Sequence, residues 1–267
     1  MNQQAWLALA AAWLLGLGLI IGSFLNVVIA RVPSGHSVVR PRSQCPGCQA
    51  TIRARDNLPV ISWCLLRGRC RSCGMRISAR YPAVEIANGV LWLLLGTWTY
   101  AHGTLAALPG LLVVGSAGVA LAVIDVEHHR LPNAIVLPLL GVSAVSIGVT
   151  AAAGQVDLWV ALAGAGIWTL LIGLLWLVSG GRGMGLGDVK LAPSLGAAAA
   201  VAGLGASLVG LGLSFVLGGL VGAGLLITGR ARRGTRVPFG PFLLGGALLG
   251  LLVGQPAWQA YRALAGW

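Results

Sequence analysis

Long uncharged apolar runs alternate with short polar segments along this chain of 267 residues. A helix needs about 20 apolar residues to cross a bilayer core of about 30 Å. Runs near that length cover residues 5–30, 86–101, 104–124, 134–153, 158–179 and 239–261. The charge-free stretch 191–229 is about twice one span, so we expect a turn near Gly203–Gly205. The pattern therefore predicts an all-α membrane protein with about eight transmembrane helices, of which 191–203 is the shortest.

One long hydrophilic segment interrupts this pattern at residues 31–82, and it contains all five cysteines. We predict three parts: a first transmembrane helix at 1–30, a cytoplasmic tetracysteine domain at 31–82, and a second transmembrane domain at 83–267. Residues 1–30 contain no Lys or Arg, and their apolar run is too long for a cleaved signal peptide. We therefore expect the first helix to be retained.

The composition agrees with a lipid environment. Hydrophobic residues make up 57% of the chain and charged residues 9%, whereas soluble domains carry about 25% charged residues. The net charge of +12 could also indicate nucleic-acid binding. However, ten of the 18 basic residues lie in 31–80 and four more in 230–236. Such clustering is typical of loops on one side of a membrane, so we expect membrane lipid as a partner and no nucleic acid.

The basic residues also predict an orientation. If the N-terminus lies outside, the loops 31–82, 125–133, 180–190 and 229–238 face the cytoplasm and hold 17 of the 18 basic residues. The exception is Arg262. Because cytoplasmic loops carry the excess of Lys and Arg, we predict a multi-pass protein of the bacterial inner membrane in this orientation.

Four cysteines form two CxxC units, Cys45-Pro-Gly-Cys48 and Cys70-Arg-Ser-Cys73, with 21 residues between them. Paired CxxC units supply four thiolates that can surround Zn²⁺ tetrahedrally, and disulfides are the poorer explanation in a reducing cytosol. The zinc would be structural, since four sulfurs leave no open position. The alternative is a small loop core of reduced, unligated thiols. Cys64 is left over and is expected to pack as a small hydrophobic side chain.

Two of the six acidic residues are candidates for catalysis. Asp125 ends the third predicted helix and Asp188 follows the fifth, so the predicted topology places both at the cytoplasmic membrane boundary. Two close carboxylates share one proton. The ionised member can then activate water while the protonated member hydrogen-bonds a scissile carbonyl. The pair therefore predicts an aspartic protease, although a lone Asp at a helix end is more often a cap or an interface charge.

The glycines before Asp188 favour the same interpretation. Gly183, Gly185 and Gly187 allow close approach of backbone to an extended peptide, and Leu186 excludes the GxGxxG dinucleotide spacing. The other carboxylates compete less well for a catalytic role. We expect Glu127 and the adjacent His128 and His129 to be exposed or supporting, Asp56 to belong to the cysteine segment, Asp157 to lie on the outer side, and Glu85 to occupy a helix N-terminus after Pro82.

At these residues the sequence closely resembles the bacterial type IV prepilin peptidases, which are GxGD aspartic proteases. The resemblance runs from the first helix to the last. Its motifs are GSFLNVV at 22–28, CPGC at 45–48, DNLPV at 56–60, RGRCRSC at 67–73, RYPAVE at 80–85, the Asp125 segment through Pro132, GMGLGDVKL at 183–191 and PFGPF at 238–242.

The resemblance implies cleavage of the short basic leader of prepilins or pseudopilins at the cytoplasmic face, and N-methylation of the new N-terminal residue with S-adenosylmethionine. It matches the catalytic aspartates to Asp125 and Asp188 and the zinc-type ligands to the four CxxC cysteines. It assigns no residue to the methyl donor. Two positions depart from the family pattern, since Arg182 replaces an acidic residue and Asn133 replaces an Asp.

Two other functions fit parts of the sequence. A transporter or scaffold with a zinc-bound cytoplasmic loop would explain the spans and the cysteines, but it would not require two aspartates at one depth. A different intramembrane aspartic protease, acting on signal-peptide remnants, would explain the aspartates. The large cysteine segment before the second long helix favours prepilin processing over both.

Overall fold

The computed structural model describes residues 2–229 and 237–266, and nearly all of their regular structure is α-helical. The only β pairing within these ranges consists of two isolated bridges, Gln44 with Thr51 and Arg69 with Arg76. The helices are α1 Gln3–Arg31, α2 Ile61–Leu65, α3 Arg80–Ala101, α4 Leu108–His128, α5 Asn133–Ala152, α6 Leu158–Ser179, α7 Leu186–Ala200, α8 Leu204–Ile227, α9 Gly240–Leu249 and α10 Gln255–Ala265. A π-helical turn, Gly250–Gly254, joins α9 to α10.

Six stretches of the described chain are long and apolar enough to cross a membrane. They are Gln3–Ser34, Leu105–His128, Asn133–Ala152, Leu158–Ser179, Leu204–Ile227 and Gly240–Ala265. The chain is therefore a multi-pass membrane protein, and the all-α prediction is confirmed for the residues described.

The predicted count of eight spans is not confirmed, because six stretches of the described chain meet these criteria. The helices α3 and α7 occur where the sequence predicted them, and α7 is followed by the expected turn at 201–203. However, α7 has 15 residues and is therefore about 22 Å long, short of a bilayer core of about 30 Å. Polar residues, including Glu85 and Asn88, reduce the apolar character of α3. The basic segment 230–236, assigned to a cytoplasmic loop, lies outside the described residues.

The protein divides into two compact units. The first contains Met1–Trp98 and Gly115–Ala120, and the second contains Thr99–Val114 and Leu121–Trp267. The division into parts at 1–30, 31–82 and 83–267 stays a prediction.

In the first unit, α1 and α3 are in backbone contact. A Cβ atom on Gly22 would lie 2.7 Å from the Cα of Glu85, which only glycine permits. The fully buried Asn88 donates a hydrogen bond from its amide to the Gly18 carbonyl at 2.7 Å. Small residues and interhelical hydrogen bonds of this kind stabilise helix pairs in membranes, where hydrophobic burial supplies little driving force.

In the second unit, α6, α7 and α8 share a core around Trp168. The Trp168 side chain is fully buried, and its indole N–H donates to the Ser207 carbonyl at 3.1 Å. The Ser207 hydroxyl in turn donates to the Gly196 carbonyl at 3.0 Å. Leu191 and Leu195 complete the buried face of α7. This packing fixes the helix whose first turn carries Asp188.

Candidate functional sites

Asp125 lies in the last turn of α4 and is buried, with 6% of its surface exposed. The helix ends at His129, which adopts a left-handed conformation with φ of 53° and donates its backbone N–H to the Asp125 carbonyl. The Asp125 carboxylate oxygen Oδ2 accepts a hydrogen bond from the backbone N–H of Gly240 at 3.0 Å. Gly240 begins α9, and the N-terminus of a helix favours an anion.

Asp188 lies in the first turn of α7 and is buried to the same degree. Its Oδ2 accepts a hydrogen bond at 2.9 Å from the backbone N–H of Gly185, the residue that precedes the helix. Its Oδ1 is buried and has no hydrogen-bond partner among the described residues. One oxygen of Asp188 therefore anchors the side chain, while the other forms no hydrogen bond with the described part of the chain.

The structure brings the two carboxylates together within the second unit. The two carboxylates are close enough to interact electrostatically. Leu131, in the loop that follows α4, packs against Gly187, which precedes Asp188, and against Gly240, which donates to Asp125. A Cβ on Gly187 would lie 2.8 Å from Leu131 Cβ, and a Cβ on Gly240 would lie 3.4 Å from Leu131 Cδ2. We call Asp125 and Asp188 the aspartate pair.

A further contact joins α5 to α7 beside this pair. The Lys190 ammonium donates a hydrogen bond to Oδ1 of Asn133 at 3.0 Å. Asn133 is one of the two positions at which the sequence departs from the family pattern, so a neutral amide accepts here where an Asp would form an ion pair. The departure does not touch the aspartate pair directly.

Gly240 is the residue of this site that sequence reasoning did not single out. The motif around it was noted without a role, although a Gly-Pro at the start of an apolar run indicates a helix N-terminus. A Cβ atom at this position would lie 2.8 Å from Asp125 Oδ2. Gly187 also has a packing role that the sequence did not show, since its missing side chain makes room for Leu131. Backbone approach of a peptide to the glycines of 183–187 stays a prediction.

The remaining carboxylates have other partners or are exposed. Asp157 caps α6 by accepting from the Trp159 N–H at 2.7 Å, and Asp56 forms an ion pair with Arg71 at 2.7 Å, which lowers the pKa of Asp56. Glu127, His128 and His129 are exposed, as expected.

Glu85 does not occupy a free helix N-terminus, because α3 begins at Arg80, two residues before Pro82 rather than after it. It is buried instead, and its Oε2 accepts the backbone N–H of Val60 at 2.7 Å. The expectation that Glu85 occupies a helix N-terminus was therefore wrong, because α3 begins five residues earlier and accommodates Pro82 within its first turn.

The four CxxC cysteines converge in the first unit. The Sγ atoms of Cys45, Cys48, Cys70 and Cys73 all lie within 4.8 Å of one another. The Sγ atoms of Cys45 and Cys73 are 3.8 Å apart, which is close to the edge of about 3.8 Å of a tetrahedron with Zn–S bonds of about 2.3 Å. Each knuckle is closed by one of the isolated bridges. Cys64 is exposed and lies outside this cluster, so the expectation that it is packed was wrong.

The surroundings of these sulfurs favour a bound cation. Backbone N–H groups of Cys73 and Ser72 lower the pKa of the Cys70 thiol to about 6. The backbone N–H of Met75 acts on Cys73 in the same direction, but burial and the sulfur of Cys48 outweigh it and raise the pKa of Cys73 to about 11. Ionisation of Cys73 beside a Cys70 thiolate is therefore disfavoured, and a cation among the four sulfurs would offset the repulsion between these two groups.

The fold and these two sites define a multi-pass membrane protein with a buried aspartate pair and a tetracysteine metal-binding cluster. Two family models match the chain: Bacterial Peptidase A24 N-terminal domain over residues 17–99, and Type IV leader peptidase family over residues 112–227. The chain belongs to the type IV leader peptidase family.

Individual relatives agree with this assignment over most of their length. The chain is 36% identical to a prepilin leader peptidase/N-methyltransferase of Stutzerimonas stutzeri, over 93% of this chain and 92% of the relative. It is 34% identical to the protein of that name from Pseudomonas aeruginosa, over 94% and 92% of the two chains. The corresponding protein of Aeromonas salmonicida is 35% identical over 96% and 94%. No solved structure matches the chain significantly.

Proposed function

We propose that this protein removes the leader peptide from type IV prepilins or pseudopilins, with Asp125 and Asp188 as its catalytic residues, and then methylates the new N-terminus. The observation that carries the proteolytic half is the convergence of two buried carboxylates, one of which has an oxygen with no partner among the described residues. Membership of the leader peptidase family supplies the substrate class.

The chemistry of the pair follows from their proximity. Two close carboxylates in a buried site cannot both ionise, so one proton is shared between them. The ionised carboxylate takes a proton from water as the water oxygen attacks the scissile carbonyl. The protonated carboxyl hydrogen-bonds the carbonyl oxygen and stabilises the negative charge that develops there. The proton then passes to the departing amine, which leaves as the free N-terminus of the mature pilin.

The tetracysteine cluster holds Zn²⁺ in this proposal. Four sulfurs that lie within 4.8 Å of one another would fill the coordination sphere of the ion, so the metal would stabilise the fold of residues 31–82 and take no part in bond cleavage. This segment has one short α-helix and few buried apolar side chains, and a metal ion substitutes for a core of that kind.

Methylation rests on the family relationship alone. S-adenosylmethionine would supply the methyl group, but its sulfonium is a cation. The cavity beside α1 is lined by Arg31 and Arg42 and by no acidic residue of the described chain. The cavity therefore does not fit a cationic donor, and we assign no residue to the methyl donor.

A single assay tests the two activities. The purified protein is incubated in detergent with a prepilin and S-adenosylmethionine, and the product is examined by mass spectrometry. Loss of the leader together with the added mass of one methyl group supports both halves of the proposal. Loss of the leader alone would remove the methyltransferase half, and an intact prepilin would contradict the proposal as a whole.

Cysteine labelling tests the orientation that the basic loops predict, in which α3 and α7 also insert into the inner membrane and the aspartate pair faces the cytoplasm. In a background without native cysteines, we expect Ser34→Cys and Arg182→Cys to react with a membrane-impermeant maleimide only after the cells are permeabilised. Ala153→Cys should react in intact cells. All three positions are exposed, so absence of labelling reports topology. Labelling of Arg182→Cys and Ala153→Cys from the same side would contradict the orientation.

Gly240→Ala is expected to lower the cleavage rate by about a hundredfold, because a displacement of about 1 Å at a reacting group costs that much. The new Cβ would stand 2.8 Å from Asp125 Oδ2 and would push the carboxylate out of place. Gly245→Ala is the matched control on the same helix, since its Cβ would meet the flexible end of Leu217 at 3.4 Å. Initial rates with one prepilin compare the two variants. Equal rates in both would show that Asp125 tolerates a side chain at 240.

A further inference from the structure

A cavity of about 630 Å³ lies in the first unit, between the second half of α1 and the cysteine segment. Its wall on α1 is formed by Ile20, Ser23, Phe24, Val27 and Arg31, which recur at helical spacing and so share one face. Gly18 and Gly22, which pack on α3, lie on the opposite face of α1. The cavity therefore opens on the side of α1 that α3 leaves uncovered.

The depth of this wall matches one leaflet of a bilayer. From Ile20 to Arg31 the helix rises about 16 Å, at about 1.5 Å per residue, and half of a hydrocarbon core of about 30 Å is about 15 Å. Ile20 and Phe24 expose 57% and 48% of their surfaces, and they lie within the stretch Gln3–Ser34 that is apolar enough to span a membrane. The apolar part of the cavity is thus continuous with the lipid-facing surface of a spanning helix.

The charged end of the cavity is positive. Arg31 and Arg42 line it together with the polar side chains of Ser43 and Asn57, and no acidic residue of the described chain does so. Arg31 uses one N–H group to bind the Ser37 carbonyl at 3.0 Å, which leaves further donors of its guanidinium available. Arg42 forms no hydrogen bond or ion pair with any residue that the structure describes.

We propose that this cavity binds one anionic glycerophospholipid of the surrounding bilayer. The phosphate is held between Arg31 and Arg42, because each guanidinium group can donate two parallel N–H hydrogen bonds to phosphate oxygens. The upper parts of the acyl chains lie along Ile20, Phe24 and Val27. The arrangement of an apolar wall one leaflet deep beneath two arginines fits an amphiphile with a negative headgroup, whereas a soluble anion would leave the apolar wall uncovered.

Native mass spectrometry of the full-length protein tests this site. The purified protein is titrated in detergent with phosphatidylglycerol and, separately, with zwitterionic phosphatidylcholine. We expect Arg31→Gln and Arg42→Gln to weaken phosphatidylglycerol binding about fivefold each and about thirtyfold together, the effect of about 1 kcal/mol for each basic residue at an anionic lipid surface. Binding of phosphatidylcholine should not change. Arg42→Gln is informative even if the Arg31 variant misfolds, because Arg42 supports no hydrogen bond among the described residues.

A matched control removes the same charge from elsewhere in the cysteine segment. The double variant Arg53→Gln/Arg76→Gln keeps both cavity arginines, and neither of its positions lines the cavity, so phosphatidylglycerol should bind to it as tightly as to the native protein. Equal weakening in this control would show a diffuse charge effect and overturn the site. Displacement of the lipid by glycerol phosphate or by S-adenosylmethionine would assign the cavity to a soluble ligand and would also overturn the proposal.

Discussion

Replacement of Asp125 or Asp188 by Asn is expected to lower the rate of leader cleavage more than about a thousandfold, within the range that general acid–base groups contribute. Asn keeps an oxygen that can accept the Gly240 or Gly185 N–H group, so the local fold of either variant survives. It cannot ionise to activate water, nor can it share a proton with its neighbour. Single-turnover cleavage of a radiolabelled prepilin, with equal amounts of membrane-inserted enzyme, measures the effect.

Asp157→Asn provides the matched control for this experiment. Asp157 caps α6 through hydrogen bonds to backbone N–H groups, and Asn caps a helix as well as Asp does. The same chemical change should therefore leave the cleavage rate of that variant within about twofold of the native rate, since a cap exchange of this kind costs little free energy. Near-native cleavage by either Asp125→Asn or Asp188→Asn would exclude the aspartate pair as the catalytic centre.

Replacement of any one of the four clustered cysteines by Ser is expected to reduce bound zinc from about one ion per chain to a small fraction, because structural zinc sites need all four ligands. Metal binding supplies much of the folding free energy of such small segments. Loss of the ion should therefore also open residues 31–82 to protease. Inductively coupled plasma mass spectrometry of protein purified under reducing conditions gives the stoichiometry, and limited proteolysis reports the folding of the segment.

Cys64→Ser is the control for the zinc experiment, since Cys64 lies in the same segment but outside the cluster. It should retain zinc and resist protease as the native protein does. If the ion is structural and not catalytic, removal of zinc should lower cleavage activity only as far as it lowers the fraction of folded protein. A metal-free native protein that is folded and reduced would contradict the zinc assignment.

The hydrophobic pattern predicted helices at the positions of α1 and of α3 to α10 because uncharged runs in a membrane protein have few alternatives to helix. It was less informative about which helices span the bilayer. The short helix α7 is held by buried contacts of Trp168 and Ser207 with its neighbours, and such support comes from tertiary packing rather than from local hydropathy. Asn88 and Glu85 of α3 similarly bind Gly18 and Val60 in the same unit. Hydropathy along the sequence does not show such contacts between distant residues.

Local spacing was sufficient for the metal cluster and not for the whole aspartate site. Two CxxC units fix two pairs of ligands within a few residues each, so the four sulfurs were found from sequence alone. The acceptor role of Asp125 toward Gly240 joins residues that are distant in the chain, and only the folded structure shows it. The buried hydrogen bond of Glu85 was missed for the same reason, since its partner Val60 lies 25 residues away.

The hydrogen bond between Asp125 and Gly240 spans 115 residues of sequence, and this has a consequence for biosynthesis. A ribosome adds about 5–20 residues per second, so at least about 6 s separate the synthesis of Asp125 from that of its anchor. During that interval α4 can enter the bilayer while its terminal carboxylate still lacks the N–H group that orients it. The Asp125 carboxylate therefore gains its hydrogen-bond donor only after the first residue of α9 has been translated.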